Sequence, residues 1–286
     1  LPSDQSFTLE QFVMLQEKTT KTKTAMLDSK NQEVERAISD VIHLLKTFPL
    51  ETPTPLDKEA TETLWAHYAK LMYLSVLRCT KQSFFALKKR LKTSAGGFLY
   101  IDRPFFDVDI ELSVPLVTMN PSLDEIQAAI NRCALNILRC SKSIFQWAKG
   151  NGMRDRSQRQ AYHHLIGQDY QIVAVCLMLT GAVEGTKKQV HEYLQAFMQY
   201  DYLWKENKQE AYDTLMKSNP DLDTIDMELQ KYSDIEAKIN NIPPVHNIGC
   251  LSLETGPLKN SLRTEATMWK VQYTSNMHKE AVRELE

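Results

Sequence analysis

Between Leu123 and Trp147 an apolar residue returns every three or four positions: Leu123, Ile126, Ile130, Cys133, Ile137, Cys140, Ile144 and Trp147. This strict 3-4 alternation predicts a helix with a heptad-type seam, which is stable only when packed lengthwise on other helices. Ser122 and Glu125 form a capping box in front of it, just after Pro121. The stretch "KGNG" supplies the stop.

The remaining chain is also written mostly in helical period. Residues 6–48 read as two helices, the second with Val34, Ile38, Val41, Ile42 and Leu45 on one face. "FPLETPTPL" ends it, because Pro49, Pro53 and Pro55 forbid continuation. Residues 57–94 form a long helix with Trp65, Tyr68, Met72, Val76 and Cys79 in register, closed by "KKRLKTSAGG". Residues 155–182 and 186–217 each read as helical, the latter rich in aromatics: Tyr193, Phe197, Tyr200, Tyr202, Trp204 and Tyr212. Asp221 caps a helix to about Asn241, "NNIPPVHNIG" breaks it, and "GPLKN" opens the last one. No fixed-period repeat is present.

The expected fold class is mainly α: consecutive, elongated helical bundles with one short β-hairpin or edge strand near 104–119. Nine glycines in 286 residues argue against a sheet-rich fold or a glycine-loop nucleotide fold. Lys+Arg 34 against Asp+Glu 36 leaves no electrostatic footprint for nucleic acid. Five cysteines without a CxxC fit a reducing compartment. The longest apolar run, Ile172 to Leu179, is far short of the ~20 residues a membrane helix needs. The start carries no signal peptide and no initiator methionine, and the end stops within a helical pattern. The expectation is a piece of a longer polypeptide.

The strand signal is "FDVDIELSV". Phe106, Val108, Ile110, Leu112 and Val114 alternate with Asp107, Asp109, Glu111 and Ser113. Pro115 interrupts it, which predicts an edge strand or hairpin arm. The three acids mimic the opening of a calcium loop, but that loop needs Gly at its sixth position and Glu at its twelfth. Leu112 and Thr118 stand there. A shared open face also gives the acids one environment, whereas acid–base pairs need unlike ones. The solvent side of a strand is the stronger reading.

Other motifs fail in the same way. "GAVEGTKK", from Gly181 to Lys188, has three residues between its glycines instead of four, and Thr186 where a phosphate loop has Lys. "HEYLQ" places Gln195 where a zinc helix has its second His. His163 and His164 are helix neighbours that point apart, so one should be packed and one wet. Cys133 and Cys140 belong to the seam and read as core thiols. Tyr200 to Trp204 reads as core between helices. No residue is assigned a catalytic, cofactor-binding or metal role. Asp107, Asp109 and Glu111, with the basic turn Lys88, Lys89 and Arg90, are the candidate docking charges.

Three stretches carry a family resemblance. "PFFDVDIELSVPLVTMNPSLDEIQAAINRCALNILRCSKSIFQW" starts at Pro104, "YLQAFMQYDYLW" with the following segment to Pro243 starts at Tyr193, and "LKNSLRTEATMWKVQY" starts at Leu258. In this order and spacing they resemble the tail of axonemal dynein heavy chains where it approaches the linker. The D-I-E-L and S-L-D-E wording is closest to outer-arm-type chains. The resemblance covers about residues 100–286.

It implies a very large microtubule motor of cilia and flagella, with ATP and magnesium bound downstream and no cofactor here. It implies residues 1–99 as an N-terminal tail bundle, 100–120 as a β element, 121–242 as a second bundle, and 243–286 as the start of the linker-proximal region. The implied location is cytoplasm and cytoskeleton, in the axoneme of cilium or flagellum. The implied partners are other heavy chains, intermediate and light chains or neighbouring arms, with no nucleic acid and no membrane. The proline breaks near 49–55 and 242–244 are the expected bending places. The alternatives are an unrelated helical scaffold, which a fixed repeat would favour, and a helical-bundle enzyme, which needs an E-x-x-H pattern that does not occur.

Overall fold

A computed structural model describes residues 5–47, 57–91, 104–147, 159–204 and 207–285. In chain order the elements are α1 (Leu9–Thr47), α2 (Lys58–Leu91), β1 (Phe106–Ser113), β2 (Leu116–Asn120) and α3 (Leu123–Arg139). Then come α4 (His163–Gly167), α5 (Tyr170–Leu179), α6 (Lys187–Ala196), α7 (Lys208–Lys217) and α8 (Leu222–Asn240). The chain closes with β3 (Val245–Ile248), β4 (Leu251–Glu254) and α9 (Gly256–Leu285). The fold is mainly α, with one small four-stranded sheet.

Contacts divide the chain into two units, each assembled from separated stretches. One contains 1–8, 93–126 and 183–286, and the other 9–92 and 127–182. In the second unit, Ile38 and Ile42 of α1 form a core with Trp147, and Leu64, Trp65, Tyr68, Ala69 and Met72 of α2 pack against it. The Trp147 indole donates to buried Asn31 Oδ1 at 3.1 Å and meets Trp65 edge-on at 6.2 Å. Arg159 grips the Glu35 carboxylate through both oxygens, at 2.7 and 2.9 Å. Lys81 pairs with Asp169 at 2.8 Å, whose carboxylate also caps α5 through the amides of Gln171 and Ile172.

In the first unit the sheet order is β2-β1-β4-β3, with β1 parallel to β4 and both hairpins antiparallel. Phe106, Val108 and Ile110 are buried on one face, and α9 packs on β1 with Leu258, Leu262 and Ala266 buried. α8 lies along α9, tied by Lys270 and Thr267 to Glu236 at 2.8 and 2.9 Å. Gly249 turns the β3–β4 hairpin at φ 60°, a left-handed conformation that glycine adopts without cost.

Several expectations change. Residues 9–47 form one helix, not two. The stretch "KTTKTKTAMLDSK" has no apolar stripe, but it also has no Gly or Pro, so nothing interrupts the helix. The strand is a hairpin arm as expected, yet it is not at an edge: β4 pairs with its other side. The seam leaves α-helix at Arg139, before its last three members. Cys140–Ser143 tightens into a 3-10 turn because Ser141 and Ser143 bond back to Leu138 O and Cys140 O at 2.6 and 3.0 Å. Phe145 then bridges Ala161.

The 155–182 helix is two, α4 and α5, where described. The 186–217 helix is α6, a 3-10 stretch Phe197–Leu203, and α7. The capping box is present: Ser122 N donates to Glu125 Oε2 at 2.8 Å, and Glu125 N to Ser122 Oγ at 3.3 Å.

The proline break at 49–55 lies outside the described residues. The break at 242–244 is clamped. Buried Thr255 donates its hydroxyl to Pro243 O at 2.6 Å and its amide to Pro244 O at 3.0 Å, and Lys259 Nζ donates to Ile242 O at 2.7 Å.

Candidate functional site

The motifs with a chemical look land on helices and turns. "GAVEGTKK" is the turn after α5 plus a short 3-10 helix Glu184–Thr186 leading into α6. A Cβ added at Gly181 or Gly185 would meet nothing within 4 Å, so packing does not require glycine at either position. His191, Glu192 and Gln195 are exposed on α6, with Glu192 near Lys188 at 3.7 Å. His163 is half-buried, its Nδ1 3.1 Å from both Ser141 Oγ and Leu138 O, while His164 is exposed.

Cys133 is buried, and burial pushes its thiol up to about 11, so it stays protonated and packs as an apolar group. Cys140 sits half-exposed in the 3-10 turn instead, where Thr24 Oγ1 donates to its sulfur at 3.4 Å. Lys88, Lys89 and Arg90 form the last turn of α2. Among the described residues, no three His, Cys, Asp or Glu side chains are placed to hold a metal ion, and no helix is long and apolar enough to cross a membrane.

The acid row lies on the face of β1 opposite the core, and it has a fourth member. Asp109 stands opposite Glu254 of β4 in the parallel register. Partial burial, then the charges of Glu111 and Asp107, hold the Asp109 carboxyl above the usual range. Glu254 is raised by burial and then by Asp107 and Asp109. Asn120, opposite Asp109 on β2, donates to Glu111 Oε1 at 3.2 Å. The environments therefore differ along the row, unlike the uniform open face expected. Glu254 escaped sequence reading because β4 shows no alternation: Leu251, Ser252 and Leu253 are all buried.

The first resemblance stretch, as far as Ile126, and the other two meet in the first unit as packing residues. The Trp204 indole donates to Pro115 O at 3.0 Å, joining the second stretch to the β1–β2 turn of the first. Tyr212 packs on Trp269 and Tyr273 at 6.0 and 5.1 Å, and Tyr232 on Tyr202 and Tyr273 at 6.1 and 5.8 Å. Buried Lys208 sets its ammonium 2.8 Å from the Tyr202 ring centre, a cation–π contact. Burial first, then the nearby Glu228, lifts the Tyr273 hydroxyl to about 12. Burial and the bond to Tyr202 push Tyr232 further up. Phenols so shifted keep their protons near neutrality and serve as structural groups. Sequence reasoning placed Tyr202 and Trp204 in a core between helices but did not find Tyr232, Trp269 and Tyr273 as members of it, nor Lys208, which carries no spacing signal.

No protein-family model matches the chain. It is 47% identical over 283 residues, 98% of its length, to the dynein gamma chain of the flagellar outer arm of Chlamydomonas reinhardtii. The chain belongs to the axonemal dynein heavy chains. It is also 25% identical over 75% of its length to human dynein axonemal heavy chain 8, and 23% identical over 76% to mouse dynein axonemal heavy chain 5. The chain spans only about 6% of the length of each of these heavy chains. The relative at 47% is an outer-arm chain, in line with the outer-arm wording of the sequence. Dynein homology over nearly the whole chain also removes the reading of an unrelated helical scaffold.

Proposed function

We propose that this dynein segment is a non-catalytic part of the heavy-chain tail, a structural rod leading from the doublet-bound base to the linker and the ATPase motor. The carrying observation is that all three family-like stretches give packing residues to one aromatic and sheet core, the first of them through its part up to Ile126. The protein is a cytoskeletal component of the axoneme of cilia or flagella. In this reading ATP and magnesium act elsewhere in the heavy chain, and no cofactor binds here. Partners are proteins of the arm: other heavy chains, intermediate and light chains, or neighbouring arms, with neither nucleic acid nor membrane.

The test is an antibody to this segment. On blots of isolated cilia it should mark one very large band that high salt releases. On electron micrographs of the released particles it should decorate the stem, away from the ATPase ring. A band near 32.9 kDa would sink its place within a full-length heavy chain. Decoration of the ring would sink the tail placement alone.

A further inference from the structure

α1 packs on the 3-10 turn that follows α3, where Thr24 meets Cys140. Before that contact the two helices line an open cleft of about 760 Å³. Glu17 and Lys21 stand on the α1 wall, and Ala128, Arg132, Leu135 and Arg139 on the α3 wall. The last four recur at three- and four-residue steps, so they form one stripe on α3. All four are exposed, Leu135 at 53%. Among the described residues Lys21 and Arg132 make no ion pair, and Arg139 is steadied by Asn136 Oδ1 at 3.3 Å, a neutral partner that leaves its charge intact. The walls thus present three cations and one carboxylate around an uncovered leucine.

We propose that this cleft docks an acidic amphipathic helix from another protein, with carboxylates two turns apart and an apolar side chain between them. Arg132 and Arg139 are seven residues apart, about 10.5 Å along the axis at about 1.5 Å per residue. A helix laid along α3 repeats at the same interval, so carboxylates at its i and i+7 positions meet both guanidinium forks. The residue between them covers Leu135, which a plain phosphate chain would leave in water. Glu17 at the rim repels a polyanion and fits a ligand of limited, spaced charge. No stretch of this chain outside the described residues holds more than one carboxylate, so none supplies the pair. Residues 148–158 carry Lys149, Arg154 and Arg156 against Asp155, residues 92–103 carry Lys92 and Arg103 against Asp102, and residues 48–56 hold only Glu51.

The test puts a photo-crosslinking phenylalanine analogue at Leu135 of the full-length heavy chain in intact axonemes. The expected product joins it to a helical peptide of a different protein with two carboxylates seven residues apart. R132E/R139E should cut its yield at least tenfold, and R132K/R139K, which keeps the charge but not the forks, should fall between that and the unsubstituted chain. Should the double reversal fail to assemble, the neutral pair R132Q/R139Q reads the same loss in assembled arms. A crosslink within the heavy chain, to a second copy, or to nucleic acid overturns the proposal. So does a peptide without the acidic spacing, a yield indifferent to charge, or no crosslink at all.

Discussion

Asp109 sits directly across from Glu254, and like charges opposed across a strand pair destabilise it by a few tenths to about 1 kcal/mol. Asp109→Asn is therefore expected to stabilise the first unit by about 0.5 kcal/mol at pH 7. The pH dependence has a definite sign. A carboxyl raised on folding contributes stability below its unfolded pKa, and that contribution is lost as pH rises through the folded value. The advantage of Asn should accordingly shrink towards zero as pH falls into the acid range. Urea unfolding at pH 7 and pH 4 checks both points, and an advantage that grows in acid would contradict them. The face of the acid row was legible from period two alone. Its fourth member was not, because a strand buried on both faces does not alternate. Trp147 poses the opposite case, a seam residue recognised by spacing whose polar bond was invisible. Trp147→Phe leaves the buried Asn31 carbonyl without its donor and should cost about 2–3 kcal/mol, read as a lower urea midpoint with unchanged slope.

Among elements, long uninterrupted periodicity was read well and local terminators less so. α2, α8 and α9 begin within a residue or two of where the sequence places them, since a cap or proline marks each start. The end of α3 was missed because Cys140, Ile144 and Trp147 keep the apolar spacing while the serines between them redirect the backbone. The β3–β4 hairpin was missed because its strands are only four residues long and follow two prolines. That hairpin fixes what looked like a place to bend. Thr255 binds both proline carbonyls, so Thr255→Val, equal in shape, leaves Pro243 O without a partner. The expected cost is about 1–2 kcal/mol, with faster hydrogen exchange at the Ile242 and Thr255 amides. Exchange already fast in the unsubstituted chain would instead restore the bending role.

At the scale of the whole chain, helical class and family were readable, but which helices share a core was not. Pairing of 9–92 with 127–182 is set by side-chain complementarity between stretches far apart in sequence, which neither period nor capping reports. The consequence concerns any cut at the apparent boundary near residue 99. Such a cut removes Ile38, Ile42, Trp65 and Tyr68, the apolar partners of Trp147, together with Ala69, whose carbonyl accepts the Tyr162 hydroxyl at 3.0 Å. It also removes Glu35 from Arg159 and Lys81 from Asp169. The first unit loses residues 1–8 and 93–99, among them Phe7, which bridges Phe106, and keeps its sheet, α8 and α9. A chain of residues 100–286 is thus expected to protect the amides of β1 and β4 in hydrogen exchange and to lose protection across α3 and α5. Native-like protection of α3 in that fragment would mean its seam is satisfied without α1 and α2, and the division of the core described above would be wrong.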